Sequence, residues 1–135
     1  MKSNQNLFPV RVYYEDTDAA AIVYHASYIR FAERGRTEML RDSGFEHAQI
    51  FKESGIAFAV VSLKIDYKSP ARLDDLLDLQ TKIVRVGGAS FDMQQDFYRG
   101  DELIAEVKVT LVCVGPGMKA LRLPQNIREI FTVET

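Results

Sequence analysis

Tryptophan is absent from this 135-residue sequence, cysteine occurs once, and histidine occurs only twice. A lone Cys113 excludes an internal disulfide, which fits a reducing compartment and a cytoplasmic location. No apolar stretch approaches the ~20 residues that cross a bilayer, and the opening MKSNQNLFPV lacks the apolar run of a secretory leader. Basic runs are missing and the formal net charge is −2, which argues against a nucleic-acid partner. Glycine-rich phosphate loops, repeats, linkers and low-complexity tracts are absent as well. These absences leave a soluble globular domain, read as one unit over 1–135. A chain this short is marginal for enclosing a substrate pocket alone, so a site shared between subunits of a homo-oligomer is expected.

The patterning that is present changes period twice. Phe8 to Tyr14 alternates partly and reads as a strand, interrupted by the turn-forming Glu15-Asp16-Thr17-Asp18. From about His25 the period becomes helical, with Tyr28, Phe31, Ala32, Gly35 and Met39 on one apolar stripe. Arg34 and Glu38 are spaced for an ion pair, and Gly44 suits a left-handed helix stop. Gly35 in mid-helix, beside Ala32, predicts a helix lying close against a sheet. A short second helix is expected over Glu46 to Glu53. Beyond Gly55 the chain reads as strands: Ile56 to Tyr67, Leu77 to Ile83, Phe91 to Phe97 and Leu103 to Cys113. Turns at Ser69–Arg72, Gly87-Gly88 and Arg99–Glu102 separate them, and a helical turn is expected around Asn126 to Phe131. One strand, one long helix and four antiparallel strands predict an α+β fold with a single antiparallel sheet wrapped around the helix.

Chemistry-bearing residues gather where the first strand gives way to the long helix. Asp16 and Asp18 read either as turn formers or as carboxylates acting on a carbonyl, as nucleophile or as base for water. The Asp-x-Asp pair could also hold a divalent cation, but no further cluster with ligand spacing supports a metal. His25 reads either as a local cap or as part of an oxyanion site, because a helix N-terminus offers unpaired N–H groups and a positive dipole end. Ser90, after Gly87-Gly88, is either a strand-start serine or a contact for phosphate or pantetheine. Cys113 falls on the apolar register of the last strand and reads as an inert buried thiol.

Y-Y-E-D-T-D at 13–18, I-V-Y-H-A-S-Y at 22–28, E-R-G-R-T-E-M-L at 33–40 and D-Y-K-S-P-A-R-L-D-D-L-L at 66–77 together closely resemble a known family. These segments are similar to the hotdog-fold acyl-CoA thioesterases of the 4-hydroxybenzoyl-CoA thioesterase class. Within it they resemble the YbgC-like branch, associated with the Tol-Pal cell-envelope system of Gram-negative bacteria. The resemblance spans roughly the whole chain. It implies a hotdog fold, hydrolysis of an acyl-CoA thioester, dimers or tetramers with sites at the subunit interface, and no metal or cofactor beyond the coenzyme A of the substrate. Asp18 matches the catalytic carboxylate, while Tyr24 and His25 match the segment whose backbone N–H binds the thioester carbonyl. The His25 side chain matches a histidine that assists catalysis or placement. Tyr28 ends the same motif as a substrate contact, and Tyr14 and Asp16 match loop-supporting positions. Two departures stand out. Ala19-Ala20-Ala21 replaces a stretch where relatives usually carry a glycine, with an expected effect on acyl preference, and Gly35 stands where they often carry alanine.

Two competing readings are carried forward. One is a hotdog hydratase or dehydratase using His25 as a base on carbon. The other is a binding module for acyl carrier protein or an envelope complex, with weak residual activity.

Overall fold

The computed structural model describes residues 6–131 and 133. Residues 1–5, expected to be polar and loose, lie outside them. Strand β1 (Leu7–Arg11) leads through a 3₁₀ turn (Tyr14–Asp16) into helix α1 (Ser27–Asp42) and the short α2 (His47–Ser54). Four strands follow: β2 (Ala57–Tyr67), β3 (Leu76–Val86), β4 (Ser90–Arg99) and β5 (Glu102–Val114), then α3 (Gln125–Ile130). They form one antiparallel sheet in the order β1-β3-β4-β5-β2. The expected α+β hotdog architecture is what forms, a five-stranded antiparallel sheet packed on one long helix.

The predicted stripe is the face that α1 buries: Tyr28, Phe31, Ala32, Gly35 and Met39 are all buried. Tyr28, Phe31 and Ala32 join Leu77, Leu79, Phe97 and Val107 in one apolar cluster, while Met39 and Leu40 join Phe91, Met93 and Leu111 in a second. Helix α1 ends as expected at Gly44 (φ 93°). The Phe45 N–H donates to Leu40 O and the Gly44 N–H to Arg41 O, the paired bonds of a Schellman stop.

Two local expectations are corrected. The first strand ends at Arg11 rather than Tyr14, because the Asp16 carboxylate accepts the Tyr13 N–H at 2.8 Å and winds Tyr14–Asp16 into the 3₁₀ turn. Arg34 does not pair with Glu38; the carboxylate of Glu38 is taken by Arg41, one turn further on.

Gly35 allows α1 its close approach. A Cβ added there would lie 2.4 Å from Leu79 Cδ2 and 3.2 Å from its Cγ, and Leu79 is itself fully buried. Gly35→Ala is therefore expected to destabilise the fold by about 1 kcal/mol, an overpacking penalty of ~1–3 kcal/mol exceeding a helix-propensity gain of ~1 kcal/mol. Urea denaturation of the variant checks this.

Candidate active site

The loop between β1 and α1 builds the site. Asp18 opens a tight turn in which its N–H donates to Ile22 O (3.0 Å) and the Ala21 N–H donates back to Asp18 O (2.9 Å). Ala21 has φ 63°, the left-handed position that follows a type I turn in three-residue hairpin loops. That conformation is one a glycine adopts without strain, and here an alanine carries it. Ala21→Gly is expected to raise stability by about 0.5 kcal/mol, relief of ~1 kcal/mol of strain being partly offset by a freer unfolded chain. A rise in Tm with unchanged secondary structure would show it.

The loop is then clipped to the turn between β2 and β3. Thr17 bridges Val23, Ile22 bridges Arg72, and the Val23 N–H donates to Ala71 O at 2.8 Å. Asp16 anchors the other side. Its buried carboxylate also meets Arg30 at 3.4 Å, and its backbone carbonyl accepts from the Tyr24 N–H and the Ser27 hydroxyl. Asp16 thus spends its groups on holding the loop.

Asp18 is differently placed. It is exposed, and its Oδ1 accepts the Ala20 N–H at 2.8 Å in an Asx-type turn. No other group among the described residues engages the carboxylate. The turn-former and the chemical readings are therefore compatible, since one oxygen holds the turn and the other accepts no hydrogen bond among the described residues.

Helix α1 begins without a side-chain cap. Its cap position is Ala26, and the Ser27 hydroxyl turns back to Asp16 O instead of capping the helix. Among the described residues, no acceptor takes the N–H of His25 or of Ala26. Unpaired N–H groups at the positive end of a 16-residue helix form a ready seat for a developing oxyanion. Asp18, His25 and Tyr28 line one open cleft of 320 Å³, together with Tyr67, Lys68 and Pro70.

The His25 ring is exposed and rests against Tyr24, with centroids 4.3 Å apart. Tyr28 is buried, packed edge-on against Phe97 and Tyr67. Burial pushes its phenol up to about 12, partly offset by the Ala71 backbone, so it is a neutral O–H at working pH. Ser90 is not brought to this cleft within the chain. It starts β4 at the opposite end of the sheet, opposite Val112, where its hydroxyl accepts from Arg85. Cys113 is fully buried, and burial pushes its thiol up, away from nucleophilic use.

A second, largely apolar cavity of 270 Å³ lies between α1 and the sheet, lined by Ile29, Leu40, Phe58, Leu63 and Phe91. The two hollows share the first turn of α1. Arg36 also lines this cavity, although it is buried. Its Nη1 donates to Gln95 Oε1 at 2.9 Å, and Gln95 in turn donates to Ala32 O and Thr81 Oγ1. Sequence reading missed this network. Its one visible trace is Gln95, a polar residue in register with Phe91, Met93 and Phe97. No group of three or more metal-ligating side chains occurs among the described residues, and no helix is long and apolar enough to cross a membrane.

Comparison with known proteins places this geometry in a family. The model of the thioesterase-like superfamily matches residues 12–131. An acyl-CoA thioesterase YbgC from Haemophilus influenzae is 42% identical over 97% of each chain. An acyl-CoA thioester hydrolase YbgC from Escherichia coli is 47% identical over 92% of this chain and 95% of its own. Among solved structures, a probable thioesterase from Bartonella henselae superposes with a TM-score of 0.83 at 39% identity, covering 87% of this chain and 98% of that one. The chain belongs to the thioesterase-like superfamily of hotdog proteins, and within it to the YbgC acyl-CoA thioesterases. The resemblance read from the sequence is borne out.

Proposed function

We propose that the chain hydrolyses acyl-CoA thioesters to a free carboxylic acid and coenzyme A, with Asp18 and the N-terminus of α1 as the working parts. One observation carries this reading: a free-facing carboxylate and an uncapped helix N-terminus open into the same cleft. The thioester carbonyl sits at the His25 N–H. Asp18 either attacks the carbonyl carbon, forming an anhydride that water opens, or takes a proton from a water that attacks directly. In both routes negative charge gathers on the carbonyl oxygen, and the helix end stabilises it. Collapse breaks the C–S bond, and the coenzyme A thiolate leaves to take up a proton. The His25 imidazole and the Tyr24 ring beside it place the substrate, Tyr28 lines the cleft wall, and the apolar cavity beside α1 receives the acyl chain.

The sheet edge supports the reading of a homo-oligomer. Strand β2 is terminal in the sheet, 11 residues long, and carries Val60 and Val61 at 47% and 61% exposure. An open apolar edge of that length invites pairing with a second copy. Antiparallel pairing of two β2 edges would carry the second copy's β3–β4 hairpin, with its Ser90, toward Tyr67, roughly three strand spacings or about 14 Å away. Ser90 then contacts the pantetheine or phosphates of a substrate bound across the two copies. On the resemblance alone, the reading extends to one domain over 1–135, a dimer or tetramer, a cytoplasmic location, the Tol-Pal association of the branch, and acyl carrier protein as an alternative thioester donor.

A panel of saturated, enoyl and hydroxyacyl-CoA substrates tests the reading by thiol release and by loss of enoyl absorbance. Thiol release from saturated substrates is the expected outcome. Hydration without thiol release would replace it with the hydratase reading. A kcat/KM far below ~10⁴ M⁻¹s⁻¹ on every substrate would replace it with the binding-module reading.

A further inference from the structure

We infer that Tyr67 is a positioning residue for the oxyanion donor, its hydroxyl fixing the backbone at the entry to α1. The inference rests on the reading of Asp18 and His25 given above.

The Tyr67 hydroxyl donates to His25 O at 3.1 Å. This is a long-range bond, joining the C-terminal end of β2 to His25, which lines the cleft. The backbone entering α1 has few other restraints. Tyr24 is tied to Asp16 O, and the Ser27 N–H to Tyr24 O, but no side chain caps the helix. Between those ties, the N–H groups of His25 and Ala26 are both unpaired among the described residues. The Tyr67 hydroxyl is therefore the only hydrogen bond from another element, among the described residues, that reaches the His25 backbone. The peptide plane that carries His25 O also carries the Ala26 N–H, and holding that plane restrains rotation about the backbone bonds of His25, so the unpaired N–H groups of Ala26 and His25 are restrained with it.

The ring is suited to this role. Tyr67 is 50% exposed, yet its ring packs edge-on against buried Tyr28 with centroids 5.5 Å apart. The aromatic contact sets the ring, and the hydroxyl reaches out from it. Tyr67→Phe keeps the ring contact and deletes only the bond to His25. A pre-positioned donor matters most when charge develops on the carbonyl oxygen, so the loss falls on the transition state rather than on ground-state binding.

The test is Tyr67→Phe in the full chain, assayed with an acyl-CoA that wild type hydrolyses. We expect kcat to fall about tenfold, with KM within twofold and Tm unchanged. An infrared spectrum supplies the second readout, taken with acyl-CoA bound to the slow Asp18→Asn variant. The thioester carbonyl band is expected below its frequency in solution, and adding Tyr67→Phe should move it part of the way back. A kcat within twofold of wild type, or an unmoved band, overturns the inference. So does a raised KM at constant kcat, which would make Tyr67 a direct substrate contact. Wild-type turnover by Asp18→Asn would instead remove the underlying reading, and the role of Tyr67 with it. Loss of turnover in Asp18→Asn with normal Tyr67→Phe kinetics would remove only the inference.

Discussion

Asp18→Asn is expected to lower kcat for acyl-CoA hydrolysis by about 10³-fold, the middle of the range for removal of a positioned base. The fold should be untouched. Asparagine keeps an oxygen at the same place, so the bond from the Ala20 N–H survives and the turn still forms. Only the charge and basicity are lost. Asp18→Ala is a useful companion because it loses both the chemistry and the Asx-type bond. It should match the asparagine variant in kcat while also losing about 1 kcal/mol of stability. Kinetics by thiol release and thermal melting of the two variants separate the roles. Equal Tm for wild type and Asp18→Asn, with a lower Tm for Asp18→Ala, is the expected pattern.

Gln95→Leu has the largest expected effect on stability. Gln95 is fully buried on the helix-facing side of β4 and satisfies three partners: Arg36 Nη1 at 2.9 Å, Ala32 O at 2.8 Å and Thr81 Oγ1 at 3.0 Å. Arg36 is itself buried, and no carboxylate among the described residues lies within ion-pair distance of it. Leucine fills the space but leaves that guanidinium without its acceptor. Stranding a buried charged donor costs about 3 kcal/mol, more than the gain from a larger apolar surface. The expected fall in Tm is on the order of 10 °C. A double variant that also replaces Arg36 with methionine should recover part of the loss, because the stranded charge goes with it.

Periodicity carried the fold a long way. The α1 stripe and the strand register from β2 to β5 are set by burial of alternating or helically spaced apolar residues, and the helix stop by a glycine free to take a positive φ at Gly44. Such burial is written directly in the sequence. What escaped reading is contact over long sequence separation. Gln95 showed as a polar residue on an apolar face, but its partner Arg36 lies 59 residues away and is not implied by spacing. The hydroxyl of Tyr67 reaches His25 across 42 residues for the same reason. Within the site, the choice of Asp18 over Asp16 as the proposed acid comes from the resemblance to a family. The fold adds a physical difference between them, since Asp16 is buried and bonded to the Tyr13 N–H and Arg30 while Asp18 is exposed. The alanine triplet shows the limit from the other side. Its departure from glycine was visible, but the cost falls on Ala21 alone, because only that residue takes a positive φ.

The most direct test follows coenzyme A release from a saturated acyl-CoA by wild type and Asp18→Asn at matched protein concentration. Stoichiometric free acid and thiol from wild type, lost by about three orders of magnitude in the folded variant, is the result this account predicts. Equal rates for the two proteins would contradict it, as would no hydrolysis by wild type of any acyl-CoA supplied.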